Sequence, residues 1–309
     1  METLNTMTNT VQDHTQWLEA RRHGIGGSDI AAIMGVSRWK TPLGVYLEKT
    51  EGAIQPDNKY MRAGRFLEDG VALYYADLTG HRIVPPKERI ARHPLADIFL
   101  ASVDRMLITE AGTETPDAVL EIKTTQREIL EVEPEWFCQL QWYLGVTGLP
   151  FGVIAWLERG LELRYEEFDA NKDYIGKMQD AAWKFWRDHV LAKKQPEPTT
   201  EGDIAMLYPA HVSGKVIEAD KDAVNLYKRL AEAKADKKRA EEIEEDLVEE
   251  MKLLMRDAEM LIAGDTPLCT FKKDRDGKAF DTKTFSAAYP QMFEQFTRPK
   301  TGARKLLVK

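Results

Sequence analysis

The sequence predicts an α+β fold: a mixed central sheet between helices in a three-layer α/β core, followed by a mainly helical C-terminal extension. Three observations lead there. Helical periodicity dominates from His14 to Thr79. Strand-like alternation then takes over from Arg82 to Phe168, interrupted by one helix-like run. Beyond a proline-containing stretch, Ala219 to Leu261 is highly charged and helical in character.

His14 to Arg22 reads as a short amphipathic helix anchored by Trp17 and Leu18. A glycine-rich bend, His23 to Gly27, follows, and Ser28 suits the cap of a helix over Asp29 to Met34. Pro42 opens a further helix to Thr50. Lys59 to Thr79 is long and helical, ended by Gly80. Arg82 to Val84, Glu88 to Arg92 and Phe99 to Ile108 are strand candidates, the last paired with Ala118 to Lys123 through the turn containing Gly112. Pro134 starts a helix ending near Gly145 or Gly148. Phe151 to Glu158 and Glu162 to Phe168 form a hairpin around Arg159-Gly160, and Asn171 to Leu191 closes this part as a helix. These elements suggest a core over 1–192, a linker over 193–203 and a helical region over 204–309, packed on the core or mediating assembly.

Composition sets limits. The formal net charge of -8 argues against bulk attraction to nucleic acid, so any polyanion path must be locally basic. There is no run of eighteen apolar residues, so no membrane span is expected. Met1 to Asp13 is polar and lacks an apolar leader core. Cys138 and Cys269 form neither a disulfide framework nor a zinc cluster, and they suit a reducing cytoplasm.

One constellation carries chemistry. Asp104 lies in Ser102-Val103-Asp104, and Glu121 and Lys123 lie in Leu120-Glu121-Ile122-Lys123. With a two-residue strand period, Glu121 and Lys123 share one face and can meet Asp104 from the paired strand. Two hard carboxylates, joined by the Ile122 carbonyl, suit Mg²⁺, with Mn²⁺ as a substitute. Such an ion beside a lysine is what phosphodiester hydrolysis requires. Glu68, on the preceding helix, is placed to ligate a second ion or order its waters. The alternative is a surface ion-pair cluster on an edge sheet.

Arg22 and Ser28 bracket the glycine-rich bend, where backbone N–H groups and a guanidinium can take a phosphate. A tight helix–helix connection explains the same residues. Trp39 suits base stacking or core packing. Arg62 and Arg65 suit backbone tracking or a solvated helix face.

The chain resembles the YqaJ-type viral recombinases, related to the lambda-type alkaline exonucleases of the PD-(D/E)XK class. Five ordered blocks carry the resemblance: Trp17 to Ile30, Gly64 to Glu68, Ser102 to Asp104, Leu120 to Lys123 and Gln139-Leu140-Gln141. The resemblance implies a restriction-endonuclease-like sheet. It makes Asp104 and Glu121 metal-binding acids, Lys123 the catalytic lysine and Glu68 the helix glutamate near the metals. It makes Gln141, with Gln139 beside it, the supporting glutamine motif, and Arg22 and Ser28 holders of a terminal phosphate. Ser102-Val103 stands where a strict motif has proline beside the acid.

The implied activity is Mg²⁺-dependent 5′→3′ degradation of double-stranded DNA from its ends, leaving 3′ single-stranded tails in phage or prophage recombination. The implied partners are a single-strand annealing protein and further copies of the chain, a trimer being the ring form. An endonuclease or nickase on the same core is one alternative, and a non-enzymatic DNA-end binding scaffold is another.

Overall fold

The computed structural model describes residues 17–52, 58–110, 112–299, 302 and 304–308. The chain forms two compact units, Met1–Leu207 and Tyr208–Lys309. The first begins with α1 (17–22), α2 (Gly27–Ile33), α3 (Pro42–Glu51) and α4 (Lys59–Thr79). Then come β1 (Arg82–Val84), β2 (Ala91–His93), β3 (Ala96–Ala101), β4 (Arg105–Ile108) and β5 (Ala118–Thr125). It finishes with α5 (Pro134–Thr147), β6 (Phe151–Glu158), β7 (Glu162–Asp169), α6 (Lys172–Phe185), a π-helical segment (Trp186–Leu191) and α7 (Glu201–Leu207).

The central sheet has the order β1-β4-β5-β6-β7. β5 and β6 are parallel and the other neighbours antiparallel. A parallel pair needs a crossover, and α5 supplies it. Alternation along β5 then divides two cores. Leu120 and Ile122 bury with Val71 and Tyr75 of α4 on one face. Val119 joins Ile154, Leu140 and Trp142 on the other, under α5. The result is the expected mixed sheet flanked by helices.

Local chemistry fixes the helix ends. Asn58 accepts the Tyr60 and Met61 N–H groups at the start of α4. Gly148 closes α5 at φ 74°, a left-handed conformation that costs glycine nothing.

Several boundaries differ from the sequence reading. The strand expected over Phe99 to Ile108 is two strands in two sheets, because β3 pairs with β2 and only β4 joins the central sheet. The chain breaks at Ser102–Asp104, where the Asp104 carboxylate accepts the Ile122 N–H at 2.8 Å in place of a ladder bond. The expected cap is also different. Gly26 precedes α2, and the Asp29 carboxylate takes the Gly26 N–H at 3.0 Å, while Ser28 lies inside the helix. The helix expected over Asn171 to Leu191 changes to π-helical at Trp186. His14 to Gln16 and Met1 to Asp13 lie outside the described residues.

The segment read as a linker ends in a buried carboxylate: Asp203 accepts from Thr41 at 2.6 Å and from the Thr199 N–H at 2.8 Å. The second unit contains α8 (Lys221–Met255), the hairpin β8 (Met260–Ala263) and β9 (Thr266–Thr270), α9 (Thr282–Ala288) and α10 (Pro290–Phe296). α8 is one continuous helix despite its polar middle. α9 and α10 are separate helices, since proline at 290 holds Tyr289 outside the helical region.

Candidate active site

The centre of the first unit is built on β5. Glu121 and Lys123 project towards α5, and Asp104 arrives from the break before β4. Glu121 is 1% exposed. Its Oε1 accepts from Lys123 Nζ at 2.6 Å, while Oε2 is buried with no hydrogen-bond partner. Lys123 Nζ also donates to Gln139 Oε1 at 2.9 Å, and Gln139 Nε2 donates to the Tyr143 hydroxyl at 2.9 Å. An ammonium has three N–H donors, so these two bonds leave one for a third acceptor.

The electrostatics identify what this centre lacks. Burial pushes the Asp104 carboxyl well above its ordinary value, and repulsion from Glu121 pushes it further. Burial also raises Glu121, against the pull of Lys123. Burial opposes the charged form of Lys123, but Glu121 and Asp104 outweigh it and hold the ammonium above its usual range. A buried carboxylate and a half-buried one thus share one cation. Strand geometry points the N–H and C=O of one residue to the same edge, so the Ile122 carbonyl faces the side from which Asp104 takes the Ile122 N–H. The free Glu121 oxygen, the Asp104 carboxylate and this carbonyl form a donor set of hard oxygens that fits a small divalent cation.

Glu68 does not complete the cluster. Its carboxylate bonds Arg105 at 2.8 Å, and the same guanidinium holds Asp69 and the Asp104 carbonyl. Among the described residues, no three His, Cys, Asp or Glu side chains converge closely enough to hold an ion. Glu68 is still near enough for its charge to push Asp104 and Glu121 upward. Gln141 is not at the centre either. It is wholly buried on another face of α5, donating to the Asp169 carbonyl at 2.8 Å and accepting the Asn171 N–H at 2.7 Å. It pins the end of β7 to the start of α6, and Gln139 is the glutamine that meets Lys123.

A second buried cluster lies at α2. Asp29 is fully buried and receives Lys49 Nζ and Lys40 Nζ, each at 2.6 Å, with Arg21 at 3.9 Å. Burial would raise its carboxyl, but Lys40, Lys49 and Arg21 together hold it far below the ordinary carboxylate range. Glu48 pairs with both lysines. Three cations therefore face two carboxylates.

Arg21, not Arg22, donates to Ser28 Oγ, at 2.7 Å, and Arg21 also lies over the Trp17 ring at 4.7 Å. Arg22 turns to Glu19 at 3.0 Å, its Nε buried without a partner. The spacing of Trp17 and Arg21 by four places them on one helical face, a signal that favours Arg21 over its neighbour. No comparable signal marks Lys49, a lysine on a buried helix face, or Arg105.

The two clusters are joined. Trp17 Nε1 donates to Ser102 Oγ at 3.0 Å, two residues before Asp104. A Cβ on Gly27 would lie 2.7 Å from Gln139 Cγ and 2.8 Å from Tyr143 Cε1, so only glycine lets α2 approach α5 this closely. Ile25 bridges to β3, with the Ile25 N–H on the Ile98 carbonyl at 2.6 Å and the Leu100 N–H on the Ile25 carbonyl at 2.9 Å. Tyr143, raised by burial, is within the field of Glu121, Asp104 and Arg21 together.

The residues singled out as outer contacts lie at the surface. Trp39 is 73% exposed, which excludes core packing. Its loop is fixed by Ser37, which donates to Glu135 at 2.9 Å and accepts the Trp39 N–H at 3.2 Å. Arg62 and Arg65 are exposed on α4.

A model of the YqaJ-like viral recombinase domain matches residues 16–150. The uncharacterized protein YqaJ of Bacillus subtilis (strain 168) is 30% identical over 320 residues, spanning 97% of this chain and 96% of its own. The chain belongs to the YqaJ-like viral recombinase family. Asp104, Glu121, Lys123, Gln139 and the Arg21–Ser28 block all fall within the matched YqaJ-like segment.

Remote structural likenesses accompany the YqaJ match. An alkaline exonuclease from Laribacter hongkongensis aligns at 17% identity and a TM-score of 0.48, over 58% of this chain and 94% of its own. A phage-related exonuclease from Haemophilus somnus 129PT aligns at 11% and 0.42, over 55% and 96%. Among the described residues no helix is long and apolar enough to cross a membrane.

Proposed function

We propose that the chain is a metal-dependent deoxyribonuclease that degrades double-stranded DNA from its ends, 5′→3′, leaving 3′ single-stranded tails for recombination. One observation carries this reading: a buried, unpartnered Glu121 oxygen beside the half-buried Asp104 carboxylate, with a lysine alongside.

Asp104, Glu121 and the Ile122 carbonyl would hold Mg²⁺, or Mn²⁺ in its place, with Glu68 serving through ordered water. The ion supplies polarisation of the phosphoryl oxygen and a more acidic water. Lys123 spends two donors on Glu121 and Gln139, which fixes its nitrogen. Its third donor would be left to orient a water or to stabilise the charge growing on phosphorus-bound oxygen. Gln139 in turn is held by Tyr143.

The cluster at α2 has the opposite excess and suits an anion. Arg21, Ser28 and Lys40 would take the 5′-phosphate of a duplex end, with Asp29 and Lys49 buried behind them. Trp39 would stack on a base, and Arg62 and Arg65 would follow the backbone. Residues 1–192 form the nuclease region in this reading, with 204–309 serving assembly. A single-strand annealing protein is the expected partner, a homo-oligomer such as a trimer the expected assembly, and a bacterial host cytoplasm the expected setting.

The test uses end-labelled linear duplex and closed circular DNA, with and without Mg²⁺. Mononucleotides released from the 5′ end, with the circle spared, are expected. Lys123→Ala and Asp104→Ala should each lower turnover by about 10²–10³-fold. Cleavage retained in both variants rejects the assigned chemistry, and cleavage of the circle favours the endonuclease reading.

A further inference from the structure

The second unit carries a feature that the nuclease reading does not use. α8 spans 35 residues, and nearly all of them are exposed. Positions at seven-residue steps form an apolar row: Leu226, Ala233, Ala240, Leu247 and Leu254, joined by Ile243. Ile243, Leu247 and Leu254 are each more than half exposed. An apolar row at this spacing supplies one of the two rows of a coiled-coil seam. The row four residues on has Leu230 and Met251 at its ends and Lys237 and Glu244 between them, which an antiparallel copy brings together as opposite charges. A long charged helix gains most of its stability by burying such a row.

The charges select the occupant. Residues 221–239 hold seven basic and three acidic side chains, whereas 240–255 hold seven acidic and one basic. Helix electrostatics do not explain this division, because the macrodipole acts only within the end turns and favours acids first. At the junction, Lys237–Glu241 and Lys238–Glu242 pair within the helix at 3.5 Å, in the weaker lysine-first order. A parallel copy would set like charges side by side. An antiparallel copy crossing near Ala240 sets basic half over acidic half twice, and brings Leu226 to Leu254 and Ala233 to Leu247.

We propose that α8 is a self-association surface whose partner is the α8 of a second copy, packed antiparallel. The inference is independent of the nuclease reading and holds for an inactive chain as well.

The test uses the full-length protein. Light scattering should give an even number of copies for the wild type, six where the α8 pairs join two of the trimers of the nuclease reading, and half that mass for Ile243→Glu/Leu247→Glu. Both positions are exposed, so this variant keeps its fold, which its helix content and thermal melt verify. In a Cys269→Ser background, mixing Leu226→Cys and Leu254→Cys chains under mild oxidation should yield the mixed disulfide dimer in at least tenfold excess over either like pair. Like pairs in excess mean a parallel seam and overturn the proposal. An odd-numbered or monomeric wild type also overturns it, as does a mass unchanged by the double substitution, which assigns the row to another segment of the chain or to a different protein.

Discussion

Two buried ionic clusters in the first unit show opposite imbalances. At α2, three cations surround Asp29 and Glu48, and the Asp29 carboxyl is held far below its ordinary value. At β5, Asp104 and Glu121 share Lys123, and both carboxyls are pushed up. Burial acts in the same direction on all three acids, so the neighbouring charges decide the outcome. The first cluster is short of an anion and the second short of a cation. A DNA end with its phosphate and a divalent ion would satisfy both.

The sharpest way to break this contrast is to neutralise one acid in each cluster. Asp29→Asn leaves Lys49 buried beside Lys40 and Arg21, and should cost about 3–5 kcal/mol of stability, read by urea unfolding. Asp104→Asn should instead stabilise the metal-free chain at neutral pH, since it removes one of two repelling carboxylates. If both variants lose stability alike, the charge imbalance inferred for the two clusters is wrong.

The join between the clusters gives the next largest effect. Gly27→Ala puts a methyl against Gln139 and Tyr143 and should cost about 1–3 kcal/mol, measured by thermal melting. Activity should fall beyond that loss if Gln139 positions Lys123.

The phosphate reading predicts a smaller, selective effect. Arg21→Ala should lower activity on 5′-phosphorylated ends by about tenfold more than on 5′-hydroxyl ends, as loss of a charge-assisted bond implies. Arg22→Ala should not discriminate, because Arg22 is turned to Glu19. Equal discrimination by both variants would return the pocket to the sequence-based assignment.

The pH dependence supplies the last contrast, and its sign differs between clusters. Asp29 is lowered from 3.8, so its contribution is complete above that value and is lost as pH falls towards the folded value. Asp104 and Glu121 are raised from 3.8 and 4.5. Between those values and the raised ones the folded chain binds more protons, so metal-free stability should fall as pH rises through that window. Melts with chelator should show this fall, and Mg²⁺ should diminish it.

Much of the first unit was legible because its signals are local. Period-two alternation placed Glu121 and Lys123 on one face, and the boundaries of α4 follow from Asn58 and Gly80. The break before β4 was not legible, because it depends on a bond between the Asp104 side chain and a backbone N–H from β5. Gln139 and Gln141 are two residues apart on one helix, and sequence alone does not say which faces β5. Arg21 and Arg22 pose the same problem: adjacent helix positions differ in direction by about 100°.

By itself the sequence determined most of the elements of the first unit, the acid–lysine pairing along one strand and the family. Each depends on residue order and on a repeat only a few positions long. The tertiary structure decided which glutamine touches Lys123, which arginine meets Ser28, and that Glu68 is bound by Arg105. It also decided the opposite charge balance of the two clusters. Those outcomes depend on which remote groups share a buried volume, where a neighbour a few ångströms away outweighs any preference a residue carries along the chain.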